Sequence, residues 1–416
     1  LETTVPFCRF SALVVVGGAA LAAPAYAQSM SMQSSLGDYP MTRDGSGTSW
    51  QPDDAPMDGK HLLLGDWMTM LHGSLVLAQT HQGGPRGASA SFSESMLMAA
   101  GSRDLGGGTL SLRGMFSAEP VNGASGYPLL LQTGESADGH TPLVDRQHPH
   151  NLFMELAAAY SHTLTGLASW FVYAAPVGEP ALGPPAFLHR GASDRNPEAP
   201  LSHHHIDSTH ISFGVVTGGL VAGRWKLEAS AFNGREPDQH RSEIELRGLD
   251  SWATRLSFNP TSTLAMQVST SRLASPEAHD PGLSVRRTTA SVLSEQPVGR
   301  ARLSTTLAYG RNSPSTGNAT DAWLLDGALR WNGRHTLYAR AEQVEYEELP
   351  GTLEWSRPPT VRKGSLGYEL DVFHTGDLTV GLGGLVSHHW IPDALTPFYG
   401  PNPDSWTVYL RARIAP

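Results

Sequence analysis

Sixteen short alternating segments run from about residue 67 to residue 414, and the connectors between them alternate between short and long. The long connectors, such as 118–150, 176–208 and 347–359, are polar and rich in His and Pro. A closed antiparallel barrel in a membrane has short turns on one rim and long loops on the other. A soluble sandwich has no reason to sort its loops in this way, so the chain is predicted to form such a barrel. The short turns are predicted at 105–108, 163–166, 219–223, 259–262, 296–299, 332–334 and 374–376.

The segments themselves alternate residue by residue. Around residue 226, Trp225 and Leu227 share one face, while Lys226 and Glu228 share the other. Successive strand side chains point to opposite faces, so each segment has one apolar and one polar surface. A half-buried soluble sheet also alternates, but here aromatic residues mark the ends of several apolar faces, as lipid-facing strands require.

The N-terminus is predicted to be an export signal, not part of the fold. Arg9 supplies a basic residue, 11–24 is a short apolar stretch, and Ala25-Tyr26-Ala27 is typical of a cleavage site. The only cysteine, Cys8, lies within this signal. The mature protein is therefore expected to have no disulfide, no thiolate metal site and no cysteine nucleophile.

Hydrophobic run length and net charge limit the classes of partner that the chain is expected to have. No run of 18 or more apolar residues follows the signal, so helical membrane spans are not expected. The net charge of −10 argues against nucleic acid as a partner. The expected partners are outer-membrane lipid and either small solutes or metal ions.

By this architecture, from about residue 67 onward, the chain resembles the porin-like outer-membrane β-barrels of Gram-negative bacteria. The resemblance implies an all-β, transmembrane antiparallel barrel of about 16 strands, with long extracellular loops and short periplasmic turns. The chain then divides into a signal peptide (1–27), a periplasmic N-terminal segment (28–60) and the barrel (61–416). The segment 28–60 does not alternate, and it is expected to be either a flexible lead-in or a small plug or metal-capturing arm.

Histidine concentrates in two long connectors. Imidazole beside a carboxylate suits Zn(II), Cu(II) or Ni(II), so these connectors are candidate metal-binding loops. The alternative is a loop that folds into the barrel mouth and bonds to the wall through residues 145–150. The candidate ligands are His140, His148 and His150 in the first connector, and His203, His204, His205, Asp207 and His210 in the second.

Methionine forms a second pattern, on the inward faces of the first three barrel strands. A thioether is a soft ligand that selects Cu(I) over hard ions, so these residues could form a path for copper. The alternative is that Met fills space against a plug or an inward-folded loop. Met96 is predicted to lie across from Met115. The inward set is Met68, Met70, His72, Met96, Met98 and Met115.

Charged residues on the predicted inner face would either set a transverse field that selects solutes by charge or pair with one another and stiffen the wall. The predicted pore-lining residues are Arg113, Glu155, Glu228, Arg255, Arg302, Asp326, Arg330, Arg340, Glu342, Glu369, Asp371, Arg411 and Arg413.

The expected function is a porin-like channel for small solutes, with binding or passage of copper or zinc as a further expectation. The alternatives are an outer-membrane hydrolase and a non-conducting structural barrel. For the hydrolase, His205, Asp207, Ser208 and His210 supply the residue types of a catalytic triad, although no G-x-S-x-G elbow occurs.

Overall fold

The computed structural model describes residues 32–57, 59–166, 168–277, 281–346, 348–349 and 357–414. The predicted export signal lies outside these residues. The strands are β1 Lys60–Leu64, β2 Trp67–Gln82, β3 Ser89–Leu105, β4 Gly108–Phe116, β5 Tyr127–Ser136, β6 Pro142–Gln147, β7 Phe153–Thr165, β8 Ala168–Gly178, β9 Ser212–Ala222, β10 Trp225–Asn233, β11 Ser251–Thr261, β12 Leu264–Ala274, β13 Ser284–Val298, β14 Ala301–Pro314, β15 Thr320–Trp331, β16 His335–Glu345, β17 Thr360–Thr375, β18 Leu378–Trp390 and β19 Asp404–Ile414. The helices are α1 His203–Ile206 and α2 Thr396–Tyr399, with short 3-10 helices at Met41–Arg43, Glu119–Asn122, Phe187–His189, Ser208–His210 and Asp393–Leu395.

Sixteen of these strands, β2–β4 and β7–β19, form one antiparallel sheet in which each strand pairs with the next. The sheet closes because β19 returns to β2, with Ser405 opposite Gln82 and Ile414 opposite Gly73. Closure removes the exposed sheet edges that an open sheet would leave. The predicted fold class, an all-β antiparallel barrel of 16 strands, is confirmed. Within the described ranges, no helix is long and apolar enough to cross a membrane.

The predicted turns fall at the ends of the hairpins, but several begin too early, because 163–165, 259–261 and 296–298 still belong to strands. The largest error is at 219–223. Residues 219–222 belong to β9, and the turn there is Gly223 and Arg224. Gly219 stands in the strand because a Cβ at this position would lie 2.2 Å from the ring of Phe171. The glycine therefore makes room for an aromatic ring on the neighbouring strand, a use that sequence cannot distinguish from a turn.

The barrel has an apolar outside and a polar inside. On β10, Trp225 and Leu227 are 49% and 56% exposed, whereas Lys226 and Glu228 between them are 0% and 1% exposed. The same alternation recurs along the other barrel strands. The exposed face is thus the one suited to lipid, and the inward polar face is covered by other parts of the chain.

Two stretches provide that cover. The first, here called the inner segment, is residues 32–57, and the second, the inner loop, is residues 179–211 between β8 and β9. Arg255 on the wall joins both, because its guanidinium donates to Gly183 O (2.9 Å) in the inner loop and to Thr48 Oγ1 (3.0 Å) in the inner segment. The inner segment lies by the short-turn rim, where Asp54 N donates to Ser262 O (2.9 Å).

The remaining strands stand outside the sixteen. β1 pairs with the first residues of β2, from Lys60 opposite Leu71 to Leu64 opposite Trp67. β19 pairs with β2 only as far as Gly73, which is opposite Ile414, so β1 pairs with the part of β2 that β19 does not reach. β5 and β6 form a separate hairpin in the connector between β4 and β7, and every residue of β5 is buried. This connector and the inner loop together bring the histidines into the lumen.

Candidate functional site

Five histidines from the two His-rich connectors meet inside the barrel, towards the long-loop rim. His148 and His150 follow β6, His203 and His204 lie in α1, and His210 ends the 3-10 helix Ser208–His210. We call these five residues the histidine cluster. Ring centroids are 5.2 Å apart for His150 and His210, for His203 and His210, and for His203 and His204. All five side chains are buried, with at most 7% of each residue exposed.

The local chain geometry fixes these rings. His203 and Asp207 are four residues apart across α1, so the Asp207 carboxylate reaches His203 Nδ1 at 2.7 Å. The second oxygen of Asp207 accepts a hydrogen bond from Arg190 Nη1 at 2.6 Å. Arg190 belongs to the inner loop and is fully buried. One carboxylate thus connects the imidazole of His203 to a buried cation.

Each imidazole of the cluster has its Nδ1 close to an oxygen. His150 Nδ1 lies 2.8 Å from Glu119 Oε1, and His210 Nδ1 lies 2.8 Å from Asp207 O. His148 Nδ1 is 3.4 Å from a Glu135 oxygen, and His204 Nδ1 is 3.6 Å from Glu236 Oε1. The Nε2 atoms of all five are buried and have no hydrogen-bond partner. This arrangement, with one ring nitrogen held by an oxygen and the other open, is typical of histidines that bind metals.

Burial and neighbouring charge set the protonation of these rings. Burial lowers the pKa of His148, His203 and His210 below the ordinary range, so these imidazoles are neutral. At His150 and His204 burial acts in the same direction, but the charges of Glu119 and Glu236 outweigh it and raise the pKa. Neutral imidazole is the form that binds a metal ion.

The cluster is not a preformed metal site. Among the described residues, no three His, Cys, Asp or Glu side chains are placed to hold an ion as they stand. The imidazoles have a suitable spacing, but their open nitrogens do not yet point to one position.

A second feature lies on the other side of the inner loop. It is a cavity of about 200 Å³, here called the methionine cavity. Seven of the chain's eleven methionines line it, so its surface is far richer in sulfur than the rest of the barrel. The lining methionines are Met41 and Met57 from the inner segment, Met68 and Met70 from β2, Met96 and Met98 from β3, and Met115 from β4. Three histidines join them, namely His61, His72 and His189.

The six residues of the predicted methionine set therefore lie together, although the predicted register between β3 and β4 was wrong by two residues. Met98 is opposite Met115, while Met96 is opposite Ser74. The predicted turn at 105–108 is in place, with Leu105 opposite Gly108, and the register counted back from it brings Met98 and not Met96 to Met115. Sequence reasoning did not place Met41, Met57, His61 or His189 in the cavity. Met41 and Met57 belong to a segment without strand periodicity, so the expectation of a plug or metal-capturing arm did not say which wall residues they would meet.

A single 3-10 turn, Phe187–His189, separates the two features. The Phe187 ring lies 5.4 Å from the His203 ring and 6.2 Å from the His210 ring. Two residues later, the His189 ring lies 6.4 Å from that of His72 in the methionine cavity. Burial lowers the pKa of His189 to about 3, which keeps this imidazole neutral. The histidine cluster and the methionine cavity are thus neighbours across one turn of chain.

Two of the predicted ligands lie outside the cluster. His140 is exposed at the hairpin between β5 and β6, and its backbone N–H donates to Asp138. His205 points away from its neighbours in α1, with Nε2 2.9 Å from Thr320 Oγ1 on the wall. Asp207 contacts Nδ1 of His203, on the side of the ring away from the open Nε2. It therefore orients a ligand and is not one of the clustered ligands itself.

The proposed hydrolase residues do not form a Ser–His pair in this arrangement. Ser208 Oγ donates to Glu236 Oε1 (2.9 Å) and accepts from Arg287 Nη1 (2.7 Å), so both hydrogen bonds are with charged groups. Asp207 bonds to His203 and Arg190 instead of supporting a base next to Ser208.

The thirteen predicted pore-lining residues contact one another or the inner stretches. Four close pairs are Arg113–Glu155 (2.9 Å), Arg255–Glu228 (2.9 Å), Arg340–Asp326 (2.7 Å) and Arg411–Glu369 (3.0 Å). Arg413 donates to Asp371 (2.9 Å), Arg330 to Gly191 O (2.6 Å) and Arg302 to Asp54 O, while Glu342 accepts from Ser202 N (3.1 Å). The wall charges therefore anchor the inner segment and the inner loop.

Comparisons with known proteins bear on the fold. No protein-family model matches the chain, and no curated protein matches it. Among solved structures, OmpF of Salmonella typhi, in complex with daunomycin, matches with a TM-score of 0.54 and 9% identity, covering 85% of this chain and 100% of that one. An anion-selective porin from Comamonas acidovorans matches with a TM-score of 0.49 and 11% identity, covering 84% and 100%. The outer membrane channel DcaP of Acinetobacter baumannii matches with a TM-score of 0.49 and 8% identity, covering 86% and 100%. The chain thus has the fold of outer-membrane porins.

Proposed function

We propose that this protein is an outer-membrane barrel that binds a divalent transition-metal ion, Zn²⁺ or Cu²⁺, inside its lumen. The observation that carries the proposal is the histidine cluster, in which five buried Nε2 atoms lack a hydrogen-bond partner. A buried polar atom without a partner costs on the order of 1–3 kcal/mol. Five such atoms in one place are costly unless a ligand occupies them. A metal ion satisfies several of them at once.

The ring spacing supports a metal ion over another ligand. With Zn–N bonds of about 2.0–2.1 Å in a tetrahedral site, neighbouring imidazole centroids lie about 5.2 Å apart. The His150–His210 and His203–His210 pairs have this separation. His210 is common to both pairs, so an ion bound next to its ring would lie near the rings of His150 and His203 as well. The contacts to Glu119 and Asp207 occupy the Nδ1 side of each ring and so leave Nε2 as the nitrogen available to an ion.

The location of the cluster indicates from which side of the membrane a metal ion would reach it. The porin fold and the apolar outer face favour the outer membrane of a Gram-negative bacterium, with the long loops outside and the short turns in the periplasm. The predicted signal at residues 1–27 belongs to this proposal as the route of export. A metal ion from the medium would then meet the histidine cluster before it met the inner segment.

Binding of Zn²⁺ to the full chain, folded in detergent micelles, tests the proposal. We expect about one ion per chain by elemental analysis after dialysis. The triple variant His150→Gln, His203→Gln and His210→Gln is expected to lose at least about 100-fold in affinity by calorimetric titration, because ligand loss should exceed the cost of disturbing an outer shell. His240, like His140, lies exposed at the surface. The double variant His140→Gln and His240→Gln is therefore the matched control and should bind as the wild type does. Equal losses in the two variants, or no bound ion in the wild type, would refute the proposal.

A milder change tests the orientation of the rings. Glu119 holds His150 through its Nδ1 at 2.8 Å and also accepts from the His150 backbone N–H at 2.9 Å. Glu119→Gln keeps the shape but removes the charge, so Zn²⁺ affinity should fall by about 10–100-fold. Calorimetric titration of this variant against wild type measures the effect, and an unchanged affinity would exclude His150 as a ligand.

A porin-like channel for small solutes is the second candidate, and the likeness to OmpF favours it. It predicts steady ion conductance through the wild-type barrel in planar bilayers. The metal-binding proposal predicts a conductance that falls when Zn²⁺ is added on the long-loop side. The change in conductance on addition of Zn²⁺ therefore distinguishes the two functions.

A further inference from the structure

We infer a second metal site in the methionine cavity, selective for a soft monovalent cation, Cu(I) or Ag(I). The cavity is lined by seven methionines and three histidines, drawn from three adjacent wall strands, β1, the inner segment and the inner loop. Thioether and imidazole are neutral, polarizable ligands that favour soft ions over hard ones. The site differs from the histidine cluster in its ligands and in its ion.

The remaining space in the cavity argues against the view that these methionines are only filler. Methionine used as filler adapts its flexible chain until the gap is closed. Here a volume of about 200 Å³ stays open among the seven side chains, compared with about 30 Å³ for one water molecule. The methionines therefore line a space that they do not fill.

The charges around the cavity favour a monovalent ion. Arg113, Arg411 and Arg413 also line it, but each is paired with a carboxylate, Arg113 with Glu155 (2.9 Å) and both others with Glu369 (3.0 and 3.2 Å). Glu155 and Glu369 are thus already neutralised by arginine, and the lining carboxylate Asp44 accepts hydrogen bonds from Ser34 (2.7 Å) and Tyr39 (2.8 Å). A divalent ion would have no free carboxylate partner in these pairs, while a single positive charge on sulfur ligands carries a smaller desolvation cost.

Histidine completes the ligand set. Both ring nitrogens of His61 and the Nε2 atom of His189 are buried without a hydrogen-bond partner. His61 enters from β1 and His189 from the inner loop, so they approach the cavity from different parts of the chain. The inner loop and the inner segment both contribute ligands, and an ion in the cavity would bind them to the wall.

The order of the two sites rests on the proposed function. Phe187 contacts the histidine cluster, and His189 of the same turn lines the methionine cavity. An ion moving from the long-loop rim would therefore pass from nitrogen ligands to sulfur ligands across one turn of chain. The site itself does not depend on this order, because its ligands are independent of the five clustered histidines.

Ag(I) is the probe, since it is soft, monovalent and stable in air. We expect the full chain in detergent to bind Ag(I) and the triple variant Met96→Leu, Met98→Leu and Met115→Leu to lose at least about 100-fold in affinity. Leucine conserves the volume of methionine, so the fold should be retained. The matched control is Met266→Leu, on the outer face, which should bind Ag(I) as the wild type does.

The variants of the two sites separate this inference from the proposed function. The triple His→Gln variant should keep its Ag(I) affinity, and the triple Met→Leu variant should keep its Zn²⁺ affinity. Retained Ag(I) binding with no Zn²⁺ binding would support this inference and overturn the proposed function. Unchanged Ag(I) affinity in the Met→Leu variant, or loss of Ag(I) binding in the His→Gln variant, would overturn the inference.

Discussion

Deletion of residues 32–57 is expected to raise the single-channel conductance of the barrel several-fold. A barrel of 16 strands is wide enough to leave an aqueous channel when nothing fills it. In this chain the inner segment occupies the short-turn end, where it accepts hydrogen bonds from Arg113 to Gly47 O (2.6 Å) and from Asn259 to Gln51 O (2.8 Å). Its removal should leave those wall donors to water and clear one end of the lumen.

Planar-bilayer recordings of wild type and deletion variant measure the effect. Circular dichroism and heat-dependent migration on gels establish that both are folded barrels. A double variant, Trp50→Ala with Leu36→Ala, gives a second measurement, because both side chains are buried in the packing of the inner segment. It should increase fluctuations of the current without removing any chain. Identical conductance in all three proteins would show that the inner segment does not obstruct the lumen.

The parts of the fold that could be predicted from the sequence are those with a periodic pattern that extends over many residues. Strand periodicity repeats over many residues, so the sixteen strands and the inward face of residues such as Lys226 and Glu228 followed directly. The end of β9 did not, because Gly219 looks like the start of a turn and in fact lies against the Phe171 ring. A glycine that admits a neighbouring ring and one that turns the chain are identical in sequence.

The sites show the same limit. Both His-rich connectors were evident as sequence features, but their meeting depends on long loops that fold back into the barrel, and loops carry no register. His205 illustrates the point. It directly follows His203 and His204 in α1, yet its side chain contacts Thr320 on the wall and not the cluster. The methionines on β2, β3 and β4 were predictable because strand alternation directs them inward. Met41 and Met57 were not, because the inner segment has no regular period to relate them to the wall.

Replacement of the buried Arg190 is expected to destabilise the inner loop by about 3–5 kcal/mol, the usual cost of breaking one half of a buried ion pair. Arg190 is fully buried, donates to Asp207 Oδ2 (2.6 Å) and Pro185 O (3.1 Å), and lies 3.8 Å from Asp326. In Arg190→Ala, Asp207 keeps only its contact with His203, and the charge of Asp207 is left in the interior. Arg311→Ala is the matched control, because Arg311 bonds to Asp321 at 2.7 Å but is 43% exposed, so its loss should cost at most about 1 kcal/mol.

Protease digestion of the folded barrels measures the stability of the inner loop separately from that of the barrel wall. In the Arg190 variant we expect rapid cleavage within residues 179–211, since a locally unstable loop opens without unfolding the sheet. The Arg311 variant should resist digestion as the wild type does, and urea unfolding should place its midpoint near the wild-type value. Resistance of the Arg190 variant to digestion would mean that the loop is held mainly by its apolar contacts, such as Phe187 and Leu201. Since Asp207 also fixes His203, the same opening should weaken Zn²⁺ binding, which ties the stability of this loop to the proposed metal site.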